Sequence, residues 1–295
     1  MKPNASPKQD LTQNKGTTGS LLKRTQEELK KHSESPYLDS LVLLAHITGL
    51  TKSQLLANPD PSLSSTQQNQ VEQALTRIKA GTPLPYLIGE WEFFQLKFKI
   101  TEDVLIPRPE TEGLVELALA WLGQHPQRKV CLEIGTGCGC IAIAMAIKKP
   151  ELKIIATDIS NSALQVARVN ALAHQVDDQI IFEERDLLSG MDRKVDLLIA
   201  NLPYIPTDKL KSLPVYNHEP FLALDGGADG LYYIKRVLKN AQKHMQPGGA
   251  IFLELDEDSG AAALALAREV WPGMTLKLSQ DLSGQDRYLS IQCES

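Results

Sequence analysis

The sequence predicts an α/β protein in which a small helical domain precedes an open, largely parallel sheet. Three observations carry this. Apolar residues recur at helical spacing from Leu21 to about Ala80, and after Lys129 short apolar runs alternate with helical segments. Those runs end in Gly, Asp or Asn, the residue types found where ligands meet the carboxyl ends of parallel strands. With 295 residues and 42% hydrophobic content, the chain is long enough for one large domain and a smaller companion.

Residues 1–20, "MKPNASPKQDLTQNKGTTGS", are polar and lack the apolar core of a signal peptide, so they read as a disordered leader. From 21 to 82, "SLLKRTQEELKKH", "SPYLDSLVLLAHITGL" and "STQQNQVEQALTRIKAG" are amphipathic, and Ser/Pro and "NPDPSLSS" breakers separate them, as in a small helical domain. Residues 83–108 are punctuated by proline and alternate in "FFQLKFKI", which predicts a hairpin linker. The third region, 109–295, holds the predicted strands "KVCLEIG", "KIIATD", "QIIFEERD", "VDLLIAN" and "GAIFLELD". The helices "CGCIAIAMAIKK" and "NSALQVARVNALAH" fall among them, and the tail "TLKLSQDLSGQDRYLSIQ" reads as two strands about a Gly turn.

Charge narrows the function classes. The net charge is −5 and the pI about 5.7, which argues against a chain whose main task is to hold a phosphate backbone. The first 80 residues carry +3 and the rest −8, a mild asymmetry consistent with a small basic docking face. Cys131, Cys138 and Cys140 crowd one predicted strand-turn-helix corner, and Cys138-x-Cys140 fits neither a zinc pair nor a disulfide framework. With Cys293 they read as small residues in a reducing cytosol. No apolar run approaches the roughly 18 residues of a membrane span, so a soluble cytoplasmic protein is expected, and nothing in the sequence suggests more than a monomer.

The strand ends carry the chemistry. Gly135, Gly137 and Gly139 in "LEIGTGCGC" allow a sharp turn against which a flat ligand can lie. A dinucleotide fingerprint would put Gly or Ala where Cys140 stands, which disfavours a nicotinamide cofactor. Asp158, about 20 residues on, suits both hydroxyls of a ribose, although a cap for the helix beginning near Asn161 is an equal use. Asp186 ends the next strand, and Leu187 beside it can cover an adenine face. Asn201 closes the fourth strand within "NLPY". Its side-chain oxygen and the carbonyl of Leu202 are two acceptors for a planar NH2 group, Pro203 keeps residue 202 extended, and Tyr204 adds an aromatic wall that favours a nearby sulfonium.

Together the glycine turn, Asp158 and the Asn-x-Pro-Tyr tetrapeptide resemble the Rossmann-like methyltransferases that use S-adenosylmethionine. Within them, "NLPY" and "LEIG" are similar to the ribosomal RNA adenine dimethyltransferases. Residues 83–116 with "IPRPETE", the segment "HEPFLALDGGADGLYYIKRVL" and the closing "DLSGQDRYL" resemble instead the HemK/PrmC protein-glutamine methyltransferases. That second resemblance spans residues 21–292. It implies methyl transfer from S-adenosylmethionine to the glutamine amide of the Gly-Gly-Gln loop of peptide chain release factors, with the helical domain contacting the factor's body. Gly135, Thr136, Gly137, Cys138, Gly139, Asp158, Asp186, Leu187 and Asn201 would hold the cofactor. Asn201, Leu202, Pro203 and Tyr204 would bind the target, with Asn201, Leu202 and Tyr204 catalytic. No partner among membranes or nucleic acids is implied. Two departures stand out: Leu202 replaces the family's usual first proline, and "ELDEDSG" replaces an E-x-G run. "RPETE" alone is also a well-built helix start, with Pro109 at the first position and Glu110 and Glu112 at the positive end.

Overall fold

The structure is a computed structural model that describes residues 18–33, 35–57 and 62–293. Most of the leader and part of the "NPDPSLSS" breaker lie outside the described residues. The chain divides into two compact units, ending and starting at Ile88 and Gly89.

The first unit contains α1 (Thr18–Leu29), α2 (Pro36–Thr48), α3 (Lys52–Ala57), α4 (Ser65–Lys79) and α5 (Leu84–Ile88). Pro36 starts α2, where its missing N–H costs nothing, and Gly49 ends it in the left-handed region with its N–H on the Ala45 carbonyl. Ser64 and Gln67 form a reciprocal capping box at the start of α4. Leu29, Leu41, Leu44, Val71, Leu75 and Ile78 make the shared core. α3 and α5 were not expected, because a helix of one or two turns is too short to show a period.

The second unit opens with the hairpin β1 (Glu90–Phe93) and β2 (Leu96–Lys99), joined through Phe94 and Gln95, both at positive φ. Buried Phe93 and Phe98 give it an inner face. Residues 83–108 are therefore not one linking segment: 84–88 are helical in the first unit, and the hairpin is anchored in the second. One anchor is Asn170, whose side chain accepts from Lys99 N at 2.7 Å and donates to the carbonyls of Lys99 and Cys138.

There follow α6 (Pro109–Gln124), β3 (Val130–Ile134), α7 (Cys140–Lys148), β4 (Lys153–Asp158), α8 (Asn161–Ala173), β5 (Ile180–Glu184), β6 (Val195–Ala200) and α9 (Thr207–Leu210). The last elements are α10 (Tyr232–Ala241), β7 (Met245–Glu254), α11 (Gly260–Val270), β8 (Thr275–Gln280) and β9 (Asp286–Gln292). The seven strands run in the order β5-β4-β3-β6-β7-β9-β8. Pairings from β5 to β7 are parallel, and β9 pairs antiparallel with both β7 and β8. This is the Rossmann-like methyltransferase arrangement that the sequence predicts. After β3 the chain builds outward through β4 and β5, then crosses to the other side of β3 to place β6. That reversal opens a crevice at the carboxyl ends of β3 and β6, where Gly135 and Asn201 lie.

Glu133 on β3 is a buried acid in this core. Its Oε2 accepts from the Thr136 hydroxyl at 2.8 Å and from Ala142 N at 3.0 Å, which ties the glycine turn to the first turn of α7. Burial pushes its pKa from the usual 4.5 up to about 8, because desolvation outweighs these two donors. A folded state that holds this proton more tightly is favoured at low pH. The contribution is complete below about 4.5 and is lost as pH rises through about 8. Thermal melting of the wild type should therefore fall from pH 6 to pH 9 more steeply than that of Glu133→Gln, and parallel curves would refute the assignment.

Candidate active site

The crevice is a cleft of about 900 Å³ bordered by Gly135, Gly137, Asp158, Asp186, Leu187 and Asn201, among others. Gly135 and Gly137 both have positive φ, and a Cβ on Gly135 would press on the Leu202 side chain at 3.3 Å. Glycine thus lets β3 turn away tightly beside the end of β6. Asp158 closes β4, and its two oxygens accept from Gly137 N and Ser160 N, each at 2.9 Å. Burial raises its pKa while these backbone donors oppose the rise. A carboxylate has acceptor sites beyond two, so Asp158 shapes the turn and still has capacity for a ligand hydroxyl. The helix cap that competed for Asp158 is supplied by Ser160, which accepts from Ala163 N.

Asp186 borders the cleft and accepts from Arg236 at 2.7 Å, while Leu187 is held there at a φ of 51°. A non-glycine residue in the left-handed region carries strain of the kind concentrated at ligand sites. Three residues expected at the cofactor do not border the cleft. The Thr136 hydroxyl is committed to Glu133. Cys138 is buried, with its carbonyl accepting from Asn170. Gly139 serves packing: a Cβ there would sit 3.1 Å from Ala167 and Ile143, so its absence lets α7 and α8 approach. The cysteines at this corner, Cys131, Cys138 and Cys140, are buried and free.

A second cleft of about 560 Å³ is bordered by Arg108, Tyr204, Ile205, Val215 and Leu224. Leu105, Asn201, Leu202 and Ala223 border both clefts and so form the partition between them. Asn201 Nδ2 donates to Thr111 Oγ1 at 3.0 Å, which leaves Oδ1 as the atom with acceptor capacity to spare. The Leu202 carbonyl accepts no hydrogen bond among the described residues. Pro203 borders the first cleft. Tyr204 differs from expectation: it borders only the second cleft, and its hydroxyl donates to Glu254 Oε1 at 3.2 Å. Its hydroxyl therefore meets a buried residue of β7. Burial and the neighbouring carboxylate push the phenol's pKa far up.

Sequence reasoning missed Thr111, Glu254, Arg108 and Glu219. "RPETE" does begin α6 as a helix start, with Pro109 and two acids in the first turn. The same string also carries site contacts. Arg108 pairs with buried Glu219 of the "HEPF" string, and Glu219 accepts from Ile106 N. Glu112 accepts from Phe94 N at 2.7 Å. Tyr288 of "DRYL" donates to the Glu110 carbonyl at 2.6 Å, and Gly113 is open because a Cβ would strike its ring. Arg287 donates to Asp281 and to the Leu255 carbonyl. Burial pushes Glu254 up to about 7, with Thr111, Tyr204 and Arg287 opposing the rise. The "ELDEDSG" run is a turn in which Asp256 accepts from Asp258 N and pairs with Lys209 before α11 starts. The coincidence of several such strings in one chain was the available sign; which residues meet was not.

The family description "PrmC N-terminal domain" matches residues 20–89, and "Methyltransferase small domain" matches residues 115–213. A release factor glutamine methyltransferase of Moorella thermoacetica is 40% identical over 86% of this chain and 90% of its own length. The protein of the same name from Rhodopirellula baltica is 35% identical over 89% and 91%. Among solved structures, a methyltransferase from Pyrococcus furiosus superposes with a TM-score of 0.50 at 19% identity, covering 79% of this chain and all of that one, a likeness of fold.

The loop "DGGADG" packs against the main chain of Tyr204. A Cβ on Gly226 would lie 2.7 Å from Tyr204 Cα and carbonyl carbon, neither of which can swing aside. Gly226→Ala should cost about 1–3 kcal/mol of stability by overpacking. Gly123→Ala, which meets nothing within 4 Å on α6, should be neutral or slightly stabilising. Equal melting temperatures for the two variants would show that the loop yields.

Proposed function

The chain belongs to the release factor glutamine methyltransferases, and on that premise we propose how its residues divide the reaction, which transfers a methyl group from S-adenosylmethionine to a glutamine of a release factor. The observation that carries this reading is the partition: Asn201 and Leu202 border both clefts, so a group they hold in the second cleft lies against the first. The target is the glutamine of a Gly-Gly-Gln loop, and the helical unit contacts the body of the factor. No helix among the described residues is long and apolar enough to cross a membrane. We assign the activity to a cytoplasmic monomer that takes no nucleic acid. The ribosomal RNA reading, which Leu202 favours when taken alone, finds no support among these relatives.

The glycine cradle, the spare acceptors of Asp158 and Asp186 and the apolar cover of Leu187 suit a nucleoside with a charged tail. Gly135, Gly137, Asp158, Asp186 and Leu187 would hold S-adenosylmethionine. When bound, it supplies an electrophilic methyl group. Asn201 Oδ1 and the Leu202 carbonyl accept the two hydrogens of the target carboxamide. An amide nitrogen is a poor nucleophile because its lone pair is delocalised. Two fixed acceptors orient that nitrogen and stabilise the positive charge it acquires in the transition state. The proton leaves afterwards, so no strong base is needed. Leu105, Ala223 and Leu224 keep water from the partition.

The test is transfer of labelled methyl to a purified release factor, beside a copy whose Gly-Gly-Gln glutamine is alanine and beside ribosomal RNA. Asn201→Ala should lose about a hundredfold or more in kcat. Leu202→Pro, which keeps the carbonyl, should retain most activity. Label on RNA, or full activity in Asn201→Ala, would sink the assignment.

A further inference from the structure

The second cleft is bordered almost wholly by apolar side chains, and only Arg108, Asn201 and Tyr204 bring polar ones to it. Asn201 Nδ2 donates to Thr111 and the Tyr204 hydroxyl to Glu254. The main-chain N–H groups of Ile205, Ala223 and Leu224 are likewise engaged, by the carbonyls of Leu224, Pro220 and Phe221. A guanidinium carries five N–H groups, and in Arg108 only Nη2 is paired, with Oε1 of Glu219. That glutamate is the side chain's one hydrogen-bond partner among the described residues. Arg108 therefore holds most of the uncommitted donor capacity at this cleft.

It is also firmly placed. Pro109 restricts the residue before it to extended backbone, observed as φ −97° and ψ 144°. The Glu219 side chain is only 2% exposed, and its second oxygen accepts from Ile106 N at 3.2 Å, so the anchor is itself fixed. The Arg108 side chain remains 32% exposed. A guanidinium held at one edge presents the other as a rigid, planar set of donors.

What those donors meet follows from the chemistry of the target. Two glycines offer a binding site no side chains, only main-chain N–H and C=O groups, and a carbonyl moved from water into an apolar cleft needs a donor. The carboxamide oxygen is the less suitable partner, because a cation on it draws electron density from the nitrogen that has to attack. The main-chain carbonyls carry no such penalty.

We propose that Arg108 is a substrate-binding residue: held by Glu219, it donates to a main-chain carbonyl of the glycine pair that precedes the target glutamine. The proposal rests on the reading of the second cleft given above. It concerns capture of the loop, so it acts on the KM for the release factor and leaves kcat and cofactor affinity alone.

The test compares full-length wild type, Asn201→Ala, Arg108→Lys and the Arg108→Met/Glu219→Gln double variant, which removes both charges and so leaves no unpaired carboxylate in the core. Methyl transfer to a release factor gives kcat and KM, and calorimetry gives the Kd of S-adenosylmethionine and of the factor copy whose Gly-Gly-Gln glutamine is alanine. Arg108→Lys can still pair with Glu219 but has no second edge, so KM should rise about tenfold or more, with kcat within about twofold and the cofactor Kd unchanged. The alanine copy keeps the loop's main chain and lacks the carboxamide, so its Kd should weaken by a similar factor. The double variant should show at least as large a rise in KM. Wild-type KM in Arg108→Lys, or a fall in kcat with KM unchanged, would overturn the proposal. So would an alanine copy that binds Arg108→Lys as tightly as wild type, since Arg108 would then serve the carboxamide. Should Arg108→Lys fail to fold, wild-type KM in the double variant overturns it equally. Full activity in Asn201→Ala would bring down the underlying reading, and this one with it; an inactive Asn201→Ala beside an unchanged KM in Arg108→Lys would sink this one alone.

Discussion

The bond from Asn201 to Thr111 joins the end of the central strand β6 to the first turn of α6, and the rest of the site is arranged around that junction. Thr111 can be where it is because Pro109 starts the helix and Arg108, just before it, is pinned by Glu219. Asn201 can be where it is because β6 is packed between β3 and β7 with Leu197 to Ala200 fully buried. A strand buried on both faces cannot slide by one residue without turning its whole apolar set, so its last residue is placed with the accuracy of the core. The Asn201 carboxamide inherits that accuracy.

Two buried glutamates flank this junction, and both carry raised pKa values, Glu133 to about 8 and Glu254 to about 7. Each sits in the central sheet, and each has one oxygen without a close partner. Such groups weaken a core. Their neighbours indicate why they are present: Glu133 bonds the glycine turn, and Glu254 accepts from Tyr204. Polar groups placed in a core at a cost are found where a neighbouring loop must have a single shape.

Period and punctuation made the centre of the main sheet legible, because β4, β6 and the second half of β7 are runs of mostly buried residues closed by Asp158, Asn201 and Glu254. Gly135, Asp158 and Asn201 could be located in this way, each at a strand end. The helices α3 and α5 escaped, being shorter than the window in which a period shows. A glycine run does not disclose which of its residues border the cleft, as Gly135 and Gly137 do, and which do not, as with Thr136, Cys138 and Gly139. Thr111 could not be read as a site residue at all. It lies 90 residues from Asn201 in sequence, and a threonine in a helix's first turn has nothing local to mark it. Only the fold brings the two together.

The position of β9 has a consequence for the order in which the molecule is made. It is the last strand of the sheet to be synthesised, yet it is inserted between β7 and β8 rather than added at the edge. Until it emerges from the ribosome, the growing chain has β7 with one side unpaired and β8 with no neighbour, an open margin of the kind that other chains can join. Arg287 and Tyr288 arrive on that same strand. The Leu255 carbonyl and the opening turn of α6 gain their partners at the moment the sheet closes. Sheet closure and completion of the site are therefore one event, and a nascent chain interrupted before it would have neither.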